Sequence, residues 1–237
     1  MATVYRLTLR QLASRWRLLI MTLLAAMPVI MAVLMLRSAN ATGIQDFETV
    51  ILSAMLAGSI APLVVLAIGA PAFANEIEDK TLANLVLTPL ARGRIALPKL
   101  LATITIAAPF MAASAFATSY VAYLGDMTAT IALTVAAIAG VAMYASTFVW
   151  LGLVTTQAIG FGLLYIVLWE GLFSGFVSGV RLLSIRHFSI ALMHGLDERR
   201  FAFTNHVNLV VAIIISSLVF AGFLLLSIRR LRRMDVP

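Results

Sequence analysis

Residues 75–99 of this 237-residue chain read NEIEDKTLANLVLTPLARGRIALPK, and a long apolar stretch lies on each side of them. Seven of the 27 Asp, Glu, Lys and Arg residues of the chain fall in these 25 positions. They are Glu76, Glu78, Asp79, Lys80, Arg92, Arg94 and Lys99. Such a charged segment stays in water, whereas apolar stretches of this length cross a membrane. We therefore expect the segment to bind a partner at the membrane surface.

The composition predicts an integral membrane protein. Apolar residues make up 62% of the chain and charged residues 11%, against about 45–50% and about 25% in soluble domains. Because the chain has no cysteine, disulfides, thiolate metal sites and cysteine nucleophiles are excluded. The net charge of +7 comes from basic residues that flank apolar stretches. This placement indicates lipid headgroups and membrane topology rather than nucleic acid.

Runs of about 20 mostly apolar residues predict an all-α polytopic protein with six transmembrane helices in a single domain, 1–237. The predicted spans are 18–36, 50–73, 100–124, 128–152, 158–177 and 207–228. The 43 uncharged residues between Asp126 and Glu170 are enough for two helices, with a break at 153–157. The first apolar run has 19 residues, which exceeds the roughly 7–15 residues of a signal-peptide core. We therefore expect a retained span.

The distribution of Lys and Arg predicts that both termini lie in the cytoplasm. Twelve basic residues then lie inside: Arg6, Arg10, Arg15, Arg17, Lys80, Arg92, Arg94, Lys99, Arg229, Arg230, Arg232 and Arg233. Five lie outside: Arg37, Arg181, Arg186, Arg199 and Arg200. This excess follows the positive-inside rule. The charged segment is then cytoplasmic, and residues 179–205 are external.

The N-terminal residues 4–17 have the pattern of an amphipathic helix in the inner headgroup layer. Apolar side chains recur at helical spacing, and arginines form a neighbouring stripe. The residues concerned are Tyr5, Leu9, Leu12 and Trp16 on the apolar face and Arg6, Arg10 and Arg17 beside it. This helix is either a simple basic topology anchor or a lever that joins the membrane helices to a cytosolic partner.

Within the charged segment, residues 76–87 are rich in helix-forming residues. The acids at its start would lie in the first turn, where the helix dipole favours negative charge. Leu82, Leu85 and Val86 would form a short apolar patch, and Pro89 disfavours helix at Thr88. The alternative is a solvated loop whose charges only set the membrane topology.

The run EIEDKTLANLVLTPLARGRIALPKLLA, residues 76–102, resembles the cytoplasmic loop of type-two ABC exporter permeases. The shared features are an acidic pair, a Thr-Leu step, a Leu-rich turn, Thr-Pro, a basic stretch and Lys-Leu-Leu at the next span. The six-span plan, the basic N-terminal helix and the run GLLYIVLWEGL, residues 162–172, are also similar to that family.

The resemblance implies a coupling helix between the second and third spans that rests in a cleft on a separate ATP-binding subunit. The equivalent docking residues are Glu76, Glu78, Asp79, Lys80, Thr81, Leu82 and Leu85, with Lys80 where many relatives have glycine. The chain has no Gly-x-x-x-x-Gly-Lys-Ser/Thr motif. ATP and Mg are therefore expected on the partner ATPase, with no cofactor and no catalytic residue in this chain. A second permease copy, identical or related, is expected as well, in the plasma membrane (the inner membrane of a bacterium).

Two features of the fifth span have both a structural and a functional interpretation. Gly171, Gly175 and Gly179 have the four-residue spacing of a helix-packing face, or they mark a break before the external segment. Glu170 is the one ionisable residue inside a predicted span. It has a role in the transport pathway, or it lies near the outer headgroups beside Trp169 and is structural.

His187, His194 and His206 match no zinc template, so no metal site is predicted. The external residues 181–205 contain enough apolar residues for a short helix that dips to the membrane surface. The sequence therefore predicts the transmembrane permease subunit of an ABC exporter. The alternative is a secondary transporter or channel subunit driven by an ion gradient, although such proteins usually carry several polar sites at mid-membrane.

Overall fold

The computed structural model describes residues 2–37, 47–79, 92–173, 184–199, 201 and 207–233, and the regular structure in these residues is helical throughout. We number the helices in chain order. They are α1 (Ala2–Leu12), α2 (Arg15–Arg37), α3 (Glu48–Glu78), α4 (Gly93–Ala122), α5 (Met127–Val154), α6 (Ala158–Leu164 continued by Tyr165–Phe173), α7 (Ile185–Leu196) and α8 (Leu209–Arg233).

Five of these helices, α2, α3, α4, α5 and α8, are long and apolar enough to cross a membrane. The apolar part of α6 is shorter, and residues 174–177 of its predicted span lie outside the described residues. The chain break predicted at 153–157 is present, because Thr155 is extended and separates α5 from α6. The described residues thus show five candidate spans, and the sixth stays a prediction.

Long helices that follow one another in the chain run in opposite directions, and this brings many basic residues to one end of the bundle. At this end α3 finishes and α4 begins, as the contact between Glu76 and Lys99 shows. α5 and α8 also finish here, with Trp150 against Phe223. We call this the basic end, after its side chains Arg92, Arg94, Lys99, Arg229, Arg230, Arg232 and Arg233.

The last third of α3 crosses α5 with almost no space between the two backbones. A Cβ on Gly152 would overlap the carbonyl oxygen of Ala70, and one on Gly69 would lie 3.2 Å from Cβ of Phe148. Small residues of this kind let membrane helices approach closely. Pro71 directly follows Ala70 and starts the final turns of α3. These turns are therefore packed against α5 directly before residues 80–91.

α1 packs against α4 and ends earlier than predicted. Tyr5 Oη donates a hydrogen bond to Thr105 Oγ1 (2.9 Å), and Thr8 and Leu12 are buried. The prediction of one helix over residues 4–17 is wrong at its C-terminal end, because the helix stops at Leu12. Trp16 instead lies in the first turn of α2 with 78% of its surface exposed. Arg6 and Arg10 are exposed and Leu9 is partly buried, as the amphipathic pattern requires.

The segment predicted to be external contributes a helix that lies inside the bundle rather than on its surface. α7 packs against α3, α5 and α8, and its residues Phe188, Ala191 and Met193 are buried. Ser189 occupies the space beside Gly140, where a Cβ would lie 2.7 Å from its Oγ. Gly140 is thirteen residues into α5, about 20 Å along that helix. The prediction of a helix dipping only to the membrane surface is therefore wrong.

Candidate functional site

The predicted docking residues divide between the end of α3 and a part of the chain outside the described residues. Lys80, Thr81, Leu82 and Leu85 belong to the latter. Glu76 and Glu78 lie in the last turn of α3, and the Asp79 N–H caps that turn by donating to Asn75 O at 2.8 Å. The prediction that these acids open a separate helix at Glu76 is therefore wrong. α3 continues past the predicted span end because Glu76 has a partner inside the bundle.

That partner is Lys99, the side chain that joins the two flanks of residues 80–91. Lys99 Nζ lies 2.5 Å from Glu76 Oε1 and donates a second bond, also 2.5 Å, to the Ala72 carbonyl oxygen. The same ammonium group lies 4.4 Å from the centroid of the Phe73 ring. Only 1% of the Lys99 surface and 12% of that of Glu76 are exposed. The cation is thus held by a carboxylate, a carbonyl and an aromatic face.

A buried ion pair of this kind resists separation of the elements that carry it. Removing one member leaves an uncompensated charge inside the protein. Here the two members come from the end of α3 and the beginning of α4. Since Ala70 is also pressed against Gly152 of α5, the ends of α3 and α5 and the start of α4 pack together as one unit at the basic end. We call this unit, residues 69–79, 92–103 and 148–154, the loop platform, because both ends of residues 80–91 are attached to it.

Charged side chains around the loop platform remain available to a partner. Glu78 and Asp79 are exposed where α3 ends, and Arg94 is exposed where α4 begins. The α4 start also touches α8, since a Cβ on Gly93 would lie 3.6 Å from Ile228 Cδ1. A protein that binds residues 80–91 would therefore meet acidic groups on one flank and basic groups on the other.

Glu170, the predicted pathway residue, is fully buried and ties α6 to the start of α7. Its Oε1 accepts hydrogen bonds from Tyr165 Oη (2.9 Å) and from the Ile185 N–H (3.1 Å). Its Oε2 accepts one from Ser184 Oγ at 2.5 Å. Ser184 is the N-cap of α7 and also accepts from the His187 N–H. A carboxylate in this position is stabilised by the N-terminal helix dipole.

Arg186 extends this polar cluster to α3. Its Nη1 donates to the Glu170 carbonyl oxygen (3.3 Å), while Nε and Nη2 donate to Ser53 Oγ at 3.2 and 2.8 Å. Gly58 gives the side chain room, because a Cβ there would lie 2.9 Å from Arg186 Cδ. The contacts make Glu170 and Arg186 a junction between α3, α6 and α7. A role of Glu170 in the transport pathway stays a prediction.

Only some of the remaining predicted site residues lie in the part of the chain that the structure describes. Gly171 is exposed on α6, whereas Gly175 and Gly179 lie outside the described residues. His187 and His194 lie on α7, and His194 Nδ1 contacts the Phe201 carbonyl oxygen. In the described part of the chain no three His, Asp or Glu side chains are grouped to hold a metal.

Sequence reasoning missed the burial of Lys99 and Glu48, two of the charged residues that the structure buries. The sequence predicts Lys99 to be a topology-setting charge, and Glu48 precedes the predicted second span. The structure buries Glu48 in the first turn of α3, where its Oε1 accepts a hydrogen bond from Tyr123 Oη at 2.9 Å. Both lie at the ends of apolar stretches, where a charged residue usually reaches water. No local sequence signal distinguishes Lys99 and Glu48 from exposed charged residues, because their partners are 23 and 75 residues away in the chain.

We predict that Glu76→Gln lowers the free energy of unfolding by about 3 kcal/mol, because it leaves the Lys99 ammonium buried without its carboxylate. The double variant Glu76→Gln/Lys99→Met should lose less than the sum of the two single changes. Thermal unfolding of the purified chain in detergent measures both effects. Glu78→Gln is the matched control, since Glu78 is exposed two residues away. Equal effects of Glu76→Gln and Glu78→Gln would contradict the buried pair.

We further predict that Glu170→Gln destabilises the start of α7, because one amide oxygen replaces the two oxygens that accept three hydrogen bonds. The expected loss is about 1–3 kcal/mol, with faster hydrogen exchange of the Ile185 and His187 amides. The exposed Glu198→Gln serves as control. If Glu170→Gln impairs transport while amide exchange and stability stay unchanged, Glu170 acts in the pathway and the junction is not its role.

Comparison with known proteins gives the family. Residues 13–192 match the family described as "ABC-2 family transporter protein", and this match covers well over half of the chain. No curated protein matches the sequence. The matched range includes both flanks of residues 80–91, the loop platform and the Glu170 junction. The family match and the five long apolar helices together indicate a multi-pass membrane protein. The chain belongs to the ABC-2 family of transporter proteins.

Proposed function

We propose that this chain is the permease subunit of an ABC exporter and that residues 80–91 receive force from a separate ATP-binding subunit. Permease subunits of the ABC-2 family generally work with such a subunit. The observation that supports the proposal is the Lys99–Glu76 ion pair, which joins the two described flanks of these residues. Because both flanks of the segment are held together, a force applied to it is transmitted to α3 and α4.

In this proposal the docking surface consists of Glu78, Asp79 and the coupling helix that contains Lys80, Thr81, Leu82 and Leu85. Glu76 contributes indirectly, because its carboxylate is turned toward Lys99. ATP and Mg are bound by the partner subunit, and the transmembrane chain contributes no catalytic group. ATP binding closes the ATPases, the loop platform moves with them, and the rigid spans alternate between inward and outward access.

The proposed membrane arrangement has six spans, with α6 completed as the fifth span by residues 174–177. Both termini and the basic end lie in the cytoplasm, in the plasma membrane (the inner membrane of a bacterium). The basic residues gathered at that end support this orientation. α1 lies in the inner headgroup layer, where its exposed Arg6 and Arg10 meet anionic lipid. Two copies of the chain, or one copy and a related permease, enclose the path.

We predict that Leu82→Asp or Leu85→Asp abolishes ATP-driven transport and co-purification of the ATPase, because each puts a charge into an apolar contact. Abundance in the membrane should not change. Substrate-stimulated ATP turnover and co-purification are the measurements.

Leu124→Asp is the matched control for this experiment. Leu124 lies in the turn that follows the other end of α4 and 91% of its surface is exposed, so the same substitution there should leave coupling intact. ATPase binding and turnover at wild-type levels in both Leu82→Asp and Leu85→Asp would contradict the docking assignment. Transport that continues without ATP would identify an ion-driven transporter instead.

A further inference from the structure

A cleft of about 380 Å³ opens at the basic end between the last turns of α5 and α8. α5 contributes Trp150 and Val154, and α8 contributes Leu226 and three arginines, Arg229, Arg230 and Arg233. The α8 positions are spaced by three, four and seven residues from Leu226, so they lie on one face of that helix. The cleft therefore has an apolar wall and a cationic mouth.

The three arginines lie close together on α8, and their mutual repulsion disfavours the helix. All three are exposed, and Arg233 follows Arg229 and Arg230 at the four- and three-residue spacings that place like charges side by side. Within the described residues, no Asp or Glu side chain forms an ion pair with any of them. The helix C-terminus offsets only part of this charge. An anion in the cleft would offset the rest.

The geometry of the arginines favours phosphate. A guanidinium group presents planar paired donors that fit phosphate oxygens bidentately. Arg232 lies on the same turn but does not line the cleft. A bound anion would therefore contact Arg229, Arg230 and Arg233 but not every arginine at this end of the helix.

The apolar wall indicates that the phosphate belongs to a lipid. Val154 and Leu226 are both exposed in the cleft, although both are apolar. Trp150 contacts Phe223 with ring centroids 5.4 Å apart, and tryptophan is enriched at membrane interfaces. Beyond the cleft, α8 exposes Leu218 and Leu225 along a candidate membrane span. One side of the cleft thus faces hydrocarbon and the other faces water.

We propose that this cleft binds the headgroup of an anionic phospholipid, with its phosphate on Arg229, Arg230 and Arg233 and the start of an acyl chain against Trp150, Val154 and Leu226. A lipid with net negative charge is preferred over a zwitterionic one, because the latter brings an ammonium group toward the arginines. Basic pockets between transmembrane helices commonly hold lipids of this class. The proposal depends on the chain being a membrane protein, not on the direction of transport or on the ATPase.

The test uses the purified full chain and native mass spectrometry with phosphatidylglycerol or phosphatidylethanolamine of identical acyl chains. The expected result is one retained phosphatidylglycerol per chain in preference to phosphatidylethanolamine. Since each basic residue near an anionic surface contributes about fivefold in affinity, Arg229→Gln/Arg230→Gln/Arg233→Gln should weaken retention by about a hundredfold. Arg94→Gln/Arg199→Gln/Arg232→Gln removes the same charge from three exposed arginines outside the cleft and should retain the lipid.

A single-residue comparison keeps the test valid if the triple variant does not fold. Arg230→Gln should lower lipid retention, whereas Arg232→Gln, with the same charge change on the same turn, should not. Phosphatidylglycerol brominated near the headgroup should also quench Trp150 fluorescence in a Trp16→Phe/Trp169→Phe background.

Four results would overturn the proposal. They are equal retention of the two lipids, equal losses in Arg230→Gln and Arg232→Gln, loss of lipid in the triple control variant outside the cleft, and absence of Trp150 quenching. Competition by inorganic phosphate at low millimolar concentration would show a site for soluble anions instead. Loss of ATPase co-purification in Arg230→Gln without any change in lipid retention would show a protein-binding surface.

Discussion

The buried ammonium group of Lys99 is the constraint on which the basic end of this protein depends. A lysine that is 1% exposed must be neutralised or very well coordinated, and here Glu76, the Ala72 carbonyl and the Phe73 ring all surround it. Because these partners lie on α3 and the lysine lies on α4, the cation can be satisfied only while the two helices stay together. The two described flanks of residues 80–91 therefore meet at this ion pair.

A second polar junction lies toward the opposite end, and α3 takes part in both. Ser53 binds Arg186 of α7, while Glu76 binds Lys99 of α4. The 23 residues between Ser53 and Glu76 extend about 35 Å along a helix. Close contact with α5 through Ala70 and Gly152 restricts bending of α3 in between. Under the proposed function, displacement of the loop platform would reach the buried helix α7 through α3.

Features that depend on local composition could be predicted from the sequence. Apolar length predicted where the long helices lie, and the polar run at 155–157 ended α5, because these signals act within one helix. The motif in residues 76–102 led to the family that the comparison then confirmed.

Features that depend on contacts distant in the chain could not be predicted in this way. The acids at 76 and 78 looked like a helix start but close the last turn of α3, because Lys99 offers Glu76 a buried partner. α7 looked like a surface helix but is buried, because Gly140 and Gly58 make room for Ser189 and Arg186. A single sequence does not indicate which small residue faces which large one.

The most direct test of the central claim measures whether the ends of residues 80–91 move as one body. The chain has no cysteine, so spin labels can be placed at Asn75→Cys and Arg94→Cys alone, on the two flanks of residues 80–91 and outside the proposed docking surface. Pulsed electron paramagnetic resonance then gives their distance in the complex with the ATPase, with and without bound nucleotide. We predict one narrow distance distribution that is the same in both states and that broadens in Glu76→Gln. A distance that shifts between the two nucleotide states in the otherwise unchanged chain would contradict the account.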